Sequence, residues 1–221
     1  MSNPGYLISR VTTPAQDTGL ITLDQAKAIL GIPTGDTSQD ETIKAMIASV
    51  SDGICTYCDR QFVVQGYRDQ YRNVSLSWGM PLRCWQHPVV VDTDTKLPKL
   101  TVTVEGTVLD PASYDVNIET GEIYLLNSVW ASPGPIILDY VAGYDPIPSD
   151  LMAGANQWLF TKYNTKDQLP GTATRSESIS DAVTVTYGDS SGSSSSSSQA
   201  DYVGPPSYVC DAAVGYRRQS V

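Results

Sequence analysis

The chain has 221 residues, of which 41% are hydrophobic and 9% aromatic, and its formal net charge is −10. This length accommodates one domain with a sizeable core and a smaller appendage. The acidic balance excludes a generic nucleic-acid-binding protein, because phosphate contacts need clustered Lys and Arg, and it argues against adhesion to anionic membranes. An acidic surface is still compatible with a channel wall along which DNA slides without sticking. No secretory pattern and no window of membrane-span length occurs, so the sequence predicts a cytoplasmic protein.

Two capped helices follow an amino-terminal segment without periodicity. Residues 1–19 are rich in Pro, Gly, Ser and Thr, which predicts an extended arm that becomes ordered only against a partner. Thr22 and Gln25 have the spacing of a capping box before an apolar helical face, and Gly31 is placed to end that helix. The stretch Ser38–Glu41 repeats the capping pattern before a second helical period. The sequence therefore predicts a helical hairpin over residues 20–61.

From residue 62 the periodicity changes to that of short strands separated by Gly, Pro, Asn and Asp. The predicted strands cover residues 62–71, 85–91, 100–105, 113–118, 121–126 and 136–141. Their spacing is typical of a small antiparallel sheet or sandwich, here inserted over residues 62–145. A third helix is predicted over 146–168, with Pro148 in its first turn, and it is expected to pack on the hairpin. The fold class predicted is α+β.

The carboxyl-terminal part, residues 169–221, is expected to form an extended arm. Residues 182–187 alternate as in a strand, and residues 188–198 form a Ser-rich linker. Residues 202–221 contain aromatic side chains and two adjacent arginines, which is compatible with a docking tip or with a disordered tail end.

Four side chains have the spacing of a Cys3His zinc site: Cys55, Cys58, Cys84 and His87. The first pair, however, lies in an amphipathic helical pattern, where cysteines commonly act as small apolar side chains. The favoured interpretation is therefore that the chain has no metal site and no cofactor.

Two further patterns suggest an enzyme or a metal site only superficially. Gly188, Ser190 and Gly192 match the G-x-S-x-G nucleophile motif, but only serines follow, and the single histidine lies upstream. Asp92 and Asp94 could bind a divalent metal, although such pairs at a strand end usually belong to a solvated turn. The sequence predicts no catalytic residue and a protein that is not an enzyme.

Taken in order, four stretches resemble the tailed-bacteriophage head–tail connector (adaptor) family. Residues 20–27 read L-I-T-L-x-x-A-K, and residues 54–62 resemble the family pattern I-x-x-Y-x-x-R-x-F. Residues 140–151 give the junction Y-V-A-G-Y followed by I-P-S-D-L, and residues 176–181 form a weaker fourth match. Within this pattern we assign structural roles to Arg60, Gly143, Tyr144 and Pro148.

The resemblance implies a structural virion protein that forms a ring, commonly of twelve subunits, beneath the portal. Such a ring extends the DNA channel and presents a surface to the next neck or tail protein. In relatives the carboxyl-terminal segment docks onto the portal, which here would involve Tyr208, Val209, Tyr216, Arg217 and Arg218. The expected partners are the portal protein, neighbouring copies, a downstream neck or tail protein and DNA passing through without sequence-specific binding, but no membrane. The expected location is the virion neck, after assembly in the host cytoplasm.

Two alternatives stay open at this point. Another neck or tail-completion protein, or a capsid decoration protein, would share much of the same pattern. A zinc-dependent or serine hydrolase is the alternative from a different class.

Overall fold

A computed structural model describes residues 6–166, 177–179, 183–185 and 204–218. These residues form a mixed α+β fold with helices and antiparallel sheets, which confirms the predicted fold class. The helices are α1 (Leu23–Leu30), α2 (Asp40–Cys58), α3 (Ser149–Thr165) and α4 (Ser207–Ala213), with 3-10 turns at Pro111–Ser113 and Val214–Tyr216. The strands are β1 (Tyr6–Thr13), β2 (Gln65–Arg72), β3 (Val74–Ser75), β4 (Leu82–Arg83), β5 (Leu100–Val104), β6 (Thr107–Val108), β7 (Tyr114–Asn117), β8 (Glu122–Leu125), β9 (Ala131–Ser132), β10 (Ile136–Ala142), β11 (Glu177–Ile179) and β12 (Val183–Val185).

The helical hairpin begins with the predicted capping box. Thr22 Oγ1 accepts the Gln25 amide at 3.3 Å, and the Gln25 side chain accepts the Thr22 amide at 3.0 Å. Gly31 ends α1 in the left-handed conformation, with φ of 69°. The capping box predicted for α2 is wrong: Ser38 Oγ donates to Asp36 at 2.6 Å instead, and the helix begins after Gln39 without a side-chain cap.

The larger sheet is antiparallel throughout and has the order β1-β2-β10-β5-β6. Its central strand β10 alternates between buried and partly exposed side chains, so one face contributes Ile136, Leu138 and Tyr140 to the core. A second sheet, β4-β8-β7, and the short pair β3-β9 close over that core. The helices enclose a separate apolar cluster, which α1, α2, α3 and α4 share.

Two expectations about the strands are corrected. Residues 6–13 were expected to become ordered only against a partner protein. Instead, β1 pairs with β2 of the same chain, because the edge of β2 offers backbone N–H and C=O groups that can hydrogen-bond to another strand. Residues 85–91 were expected to form a strand, but only Val89 and Val91 make isolated bridges. The amide of Trp85 donates to the Asp69 carboxylate and that of Gln86 to the Tyr140 hydroxyl, so neither amide is available to hydrogen-bond with a neighbouring strand.

The junction between sheet and third helix depends on Gly143. Its φ is +138°, and a Cβ there would lie 2.6 Å from the Val64 Cα. Its amide donates to Pro88 O at 3.0 Å, and the next amide, of Tyr144, donates to Phe62 O at 2.8 Å. Pro148 occupies the cap position directly before α3 rather than its first turn. The chain therefore crosses closely over residues 62–64 as it leaves the sheet.

Across the described ranges, no helix is both long enough and apolar enough to span a membrane. The expected Ser-rich linker, residues 188–198, lies outside the described residues, as does the G-x-S-x-G stretch. Residues 177–179 and 183–185 form the antiparallel pair β11-β12, close to the alternating stretch expected at 182–187.

Candidate interaction site of the C-terminal tip

The carboxyl-terminal residues 204–218, called the tip below, fold back onto the helical layer. They comprise α4 and the 3-10 turn Val214–Tyr216, and they contact α2 and α3. The surface that receives them, called the tip groove below, is formed by residues 57–62 together with Trp85, Tyr144, Asp150 and Gly154. In the single subunit, the tip is therefore packed against the body.

The contact between α4 and α3 is apolar and close. Val209 is 1% exposed and Ala213 is fully buried, and both belong to the helical core. Gly154 faces them: a Cβ built there would lie 3.5 Å from the Ala212 Cβ and 3.8 Å from the Val209 Cα. Helix α4 thus packs on α3 at this position, with room left for no more than a methyl group.

An aromatic cluster holds the turn that follows α4. Tyr216 packs edge-on against Phe62 and Tyr144, with ring centroids 6.0 and 5.9 Å away. Its hydroxyl donates to the two carboxylate oxygens of Asp150 at 2.9 and 3.0 Å. Desolvation, with a smaller contribution from the Asp150 charge, raises the pKa of Tyr216 to about 12, so the hydroxyl stays a donor over the physiological range.

The arginines at the end of the tip bind a second set of groups. The Arg218 amide donates to Cys58 O at 3.0 Å, and its guanidinium pairs with Asp59 at 3.2 Å. The same guanidinium donates to Trp85 O and lies 3.7 Å from the indole centroid. Arg217 lies over the Tyr57 ring at 5.4 Å. Cation–π and ionic contacts of this kind make the carboxyl-terminal end of the tip complementary to the groove in charge as well as in shape.

Arg60 links the tip to the sheet. It is 6% exposed and donates to Tyr216 O at 3.2 Å and to His87 O, and its Nη2 lies 2.8 Å from His87 Nδ1. Desolvation, reinforced by the Arg60 charge, lowers the pKa of His87 to about 4. His87 is therefore neutral near pH 7, and its Nδ1 also lies 2.9 Å from Glu119 O. Arg60 satisfies carbonyl groups of two distant segments and has a positioning role.

A buried carboxylate fixes the loop that carries Trp85. Asp69 is fully buried and accepts from the Ser9 hydroxyl, from the Trp85 amide at 2.6 Å and from the Tyr140 hydroxyl at 2.7 Å. Burial raises the pKa of Asp69 despite these hydrogen bonds. The network ties β1, β2 and β10 to the indole on which Arg218 stacks.

The structure does not assemble the zinc set. Among residues 6–166, 177–179, 183–185 and 204–218, no three His, Cys, Asp or Glu side chains are grouped so that they could hold a metal ion. Cys55 and Cys58 are buried in the helical core, and desolvation raises the pKa of each thiol to about 11, which disfavours the thiolate that zinc requires. Cys84 is buried in the core of the sheet region, and the His87 ring faces Arg60.

The acidic pair at 92–94 forms a turn. Asp92 Oδ1 accepts the amides of Asp94 and Thr95 at 2.9 and 3.0 Å, and Lys99 lies 3.7 Å from its other oxygen. The second hypothetical metal site is thus an ordinary capped turn.

Of the side chains expected to bind the portal, Val209, Tyr216 and Arg218 contact the chain's own groove in the single subunit. The sequence analysis missed the receiving residues, above all Gly154, Asp59 and Asp150. One signal was available: a glycine within an apolar helical pattern usually has a packing reason. Nothing in the sequence, however, indicated which segment would approach. Among the described residues, the arrangement is a groove on α2 and α3 that the chain's own tip fills.

Comparison with protein families identifies the chain. The family model described as "HCP: Head completion protein" matches residues 19–181. The chain belongs to the head completion protein family. This assignment confirms the resemblance to head–tail connectors and the prediction of a structural protein that is not an enzyme. No curated protein matches the chain.

Solved structures share the fold of this head completion protein at low sequence identity. A chain from "Neck of empty GTA particle computed with C6 symmetry" aligns with TM-score 0.56 at 13% identity, over 97% of both chains. A chain from "Virion of native gene transfer agent (GTA) particle" aligns with a TM-score of 0.57 at 13% sequence identity, again over 97% of both chains. A chain from "Neck of native GTA particle computed with C12 symmetry" aligns with a TM-score of 0.52 at 14% sequence identity, with the same coverage. The similarity extends over nearly the whole chain and therefore includes the tip region.

Proposed function

We propose that the protein is a subunit of a ring in the virion neck, beneath the portal, where it extends the DNA channel and joins head to tail. The observation that carries the proposal is the family match over residues 19–181, combined with a fold shared over 97% of the chain with proteins of particle necks. Two of those neck structures were computed with C6 and C12 symmetry, which supports a ring and is compatible with twelve copies.

The sheet supports a ring on independent grounds. Its two edges, β1 and β6, lie on opposite sides, and each carries an exposed valine: Val11 is 50% exposed and Val108 is 61% exposed. Open edges and exposed apolar side chains are features of contact surfaces. Two different surfaces on opposite sides of a subunit produce head-to-tail contacts, which close into a ring when the rotation permits.

The remaining partners follow from this position. The net charge of −10 suits a channel wall that repels DNA, so DNA would pass without sequence-specific binding. The portal protein on one side and a downstream neck or tail protein on the other complete the assembly. Within the tip, Arg217 is exposed beside the Tyr57 ring and could take part in the portal contact, whereas Val209 is buried.

Omission of the protein during particle assembly tests the proposal. Without it, heads that have packaged DNA should accumulate beside unattached tails, because the connecting ring is missing, and re-expression should restore joined particles. Electron microscopy of the lysate separates these products. Normally joined, DNA-retaining particles in its absence would overturn the proposed function.

A further inference from the structure

One row of side chains crosses the outer face of the larger sheet, the face turned away from its core. Arg10 of β1 lies opposite Arg68 of β2, and Arg68 lies opposite Asp139 of β10. Asp139 in turn lies opposite Thr101 of β5. The antiparallel register of β5 and β6, extended by two residues, places Asp110 opposite Thr101. The row thus begins with an arginine at one edge of the sheet and ends with an aspartate at the other.

The backbone supports this extension of the β5–β6 register. The Leu109 amide donates to Val102 O at 2.9 Å, so the two chains are still paired one residue beyond β6. Leu109 packs against the core of the sheet region, whereas Val108 and Asp110, on either side of it, are exposed. This alternation is that of a strand, and it puts Asp110 on the outer face together with the rest of the row.

Only the middle of the row is neutralised within the subunit. Arg68 Nε and Nη2 donate to the two carboxylate oxygens of Asp139 at 2.6 and 3.0 Å. Arg10 and Asp110 are both exposed, and neither forms an ion pair with any residue that the structure describes. Strands β1 and β6 are about 19 Å apart across the sheet, roughly twice the Debye length at physiological ionic strength. The charges of Arg10 and Asp110 are therefore screened from each other within one subunit.

The free subunit leaves Arg10 in an unfavourable position. Arg10 lies directly opposite Arg68, and like charges that face each other on neighbouring strands are destabilising. On the other side of β1, no strand of the described part of the chain is paired with it. A carboxylate brought to that open side would offset the repulsion between the two arginines.

We propose that in the neck ring the β6 edge of one copy contacts the β1 edge of the next, with Asp110 of one copy beside Arg10 of the other. The partner is a second copy of this chain, and the proposal rests on the ring position proposed above. Because the two residues lie at opposite ends of one row, the same contact repeats at every interface. The exposed Val11 and Val108 lie on the same two edges, so each contact also buries apolar surface. The charged pair fixes which edges meet and in which register.

An exchange of the two charges tests this contact. Variants replace the native chain during particle assembly, and copies of the chain per purified head are counted by quantitative mass spectrometry. Arg10→Glu should lower the count about tenfold or more, because the repulsion between like charges repeats at each contact of the ring. Asp110→Lys alone should have the same effect, whereas Arg10→Glu/Asp110→Lys should restore the count to near the native level. Lys44→Glu, an equal change of charge on the exposed side of α2, is the matched control and should leave the count unchanged.

Neutral variants keep the test decisive if a charge reversal impairs folding, which far-ultraviolet circular dichroism of the purified subunits reveals. Asp110 Oδ1 accepts the Ala112 amide at 2.9 Å, and Asp110→Asn retains an acceptor for that amide while it removes the charge. Arg10→Gln and Asp110→Asn should each lower the count. Their combination should lower it no further than one of them alone, since both remove the same contact.

Three results would overturn the contact while leaving the neck function intact. They are an unchanged count with Arg10→Glu, a loss that Asp110→Lys does not reverse in a folded double variant, and additive losses from the two neutral variants. Arg10 would then face a different acidic partner, such as the DNA backbone. Absence of the native chain from purified necks would instead overturn the proposed function and the contact with it.

Discussion

Truncation of Val209 to alanine measures how strongly the tip is held. The side chain is 1% exposed, and its Cγ1 lies 3.9 Å from where a Cβ at Gly154 would be. Removing two methyl groups loses about 1.6 kcal/mol of transfer free energy, and a small cavity term brings the expected loss to about 2 kcal/mol. Val214 provides a matched control, because it is the same residue type in the same segment but 63% exposed. Val214→Ala should change the free energy of unfolding by less than about 0.5 kcal/mol.

Two assays separate loss of tip contacts from loss of the whole fold. Urea unfolding of the dilute free subunit gives the change in global stability, with an unchanged m-value. Hydrogen exchange of the Arg218 amide, which donates to Cys58 O at 3.0 Å, reports undocking of the tip directly. A loss of 2 kcal/mol corresponds to about 30-fold faster exchange at Arg218 in the Val209→Ala variant. Equal effects of the two truncations, or unchanged exchange at Arg218, would refute the assigned contact.

Three further predictions concern the groups around the tip groove. Gly143→Ala should destabilise the protein by about 3 kcal/mol or more in chemical denaturation, because the new Cβ meets backbone at 2.6 Å. Gly106→Ala, where φ is also positive but nothing lies within 4 Å, should cost only about 1 kcal/mol, and similar costs at both sites would contradict the close crossing. The chain's single His87 should titrate by NMR near pH 4 when folded and near 6.5 in urea. Its folded pKa is depressed, so it contributes stability that is present above pH 6.5 and declines as pH falls toward 4; a folded midpoint near 6.5 would refute the buried contact with Arg60. Tyr216→Phe keeps the ring contacts but removes the hydrogen bonds to Asp150, and it should lower the free energy of unfolding by about 1 kcal/mol without changing far-ultraviolet circular dichroism.

Local sequence signals predicted those elements whose determinants lie close together in the chain. The Thr22–Gln25 capping box and the left-handed Gly31 each involve neighbouring residues, and both occur as expected. The short apolar run at residues 136–141 likewise indicated a strand, and β10 (Ile136–Ala142) forms there.

The failures occurred where distant groups compete for the backbone. Residues 85–91 have the composition of a strand, but Asp69 and Tyr140, remote in sequence, take the amides of the loop at Trp85. The amino-terminal segment reads as an arm because its pairing partner, β2, is more than 50 residues away. The hydrophobic periodicity of a short stretch of sequence contains no information about either of these long-range contacts.

The tip groove was the hardest feature to predict for the same reason. The composition of residues 202–221 was compatible with a docking segment or with a disordered tail end, and the surface that receives the tip combines the end of α2, the middle of α3 and the loop carrying Trp85. Only the fold brings Asp59, Asp150 and Gly154 together. The sequence thus left the behaviour of this segment open, whereas the structure of the subunit identifies a surface against which it packs.

The most direct test of the central claim is cryo-electron microscopy of the assembled particle's neck, reconstructed without imposed symmetry. The account predicts a ring of density between portal and tail into which the fold of residues 6–166 fits, repeated around the DNA channel. Density for this chain on the capsid surface or in the tail, with none at the neck, would contradict it.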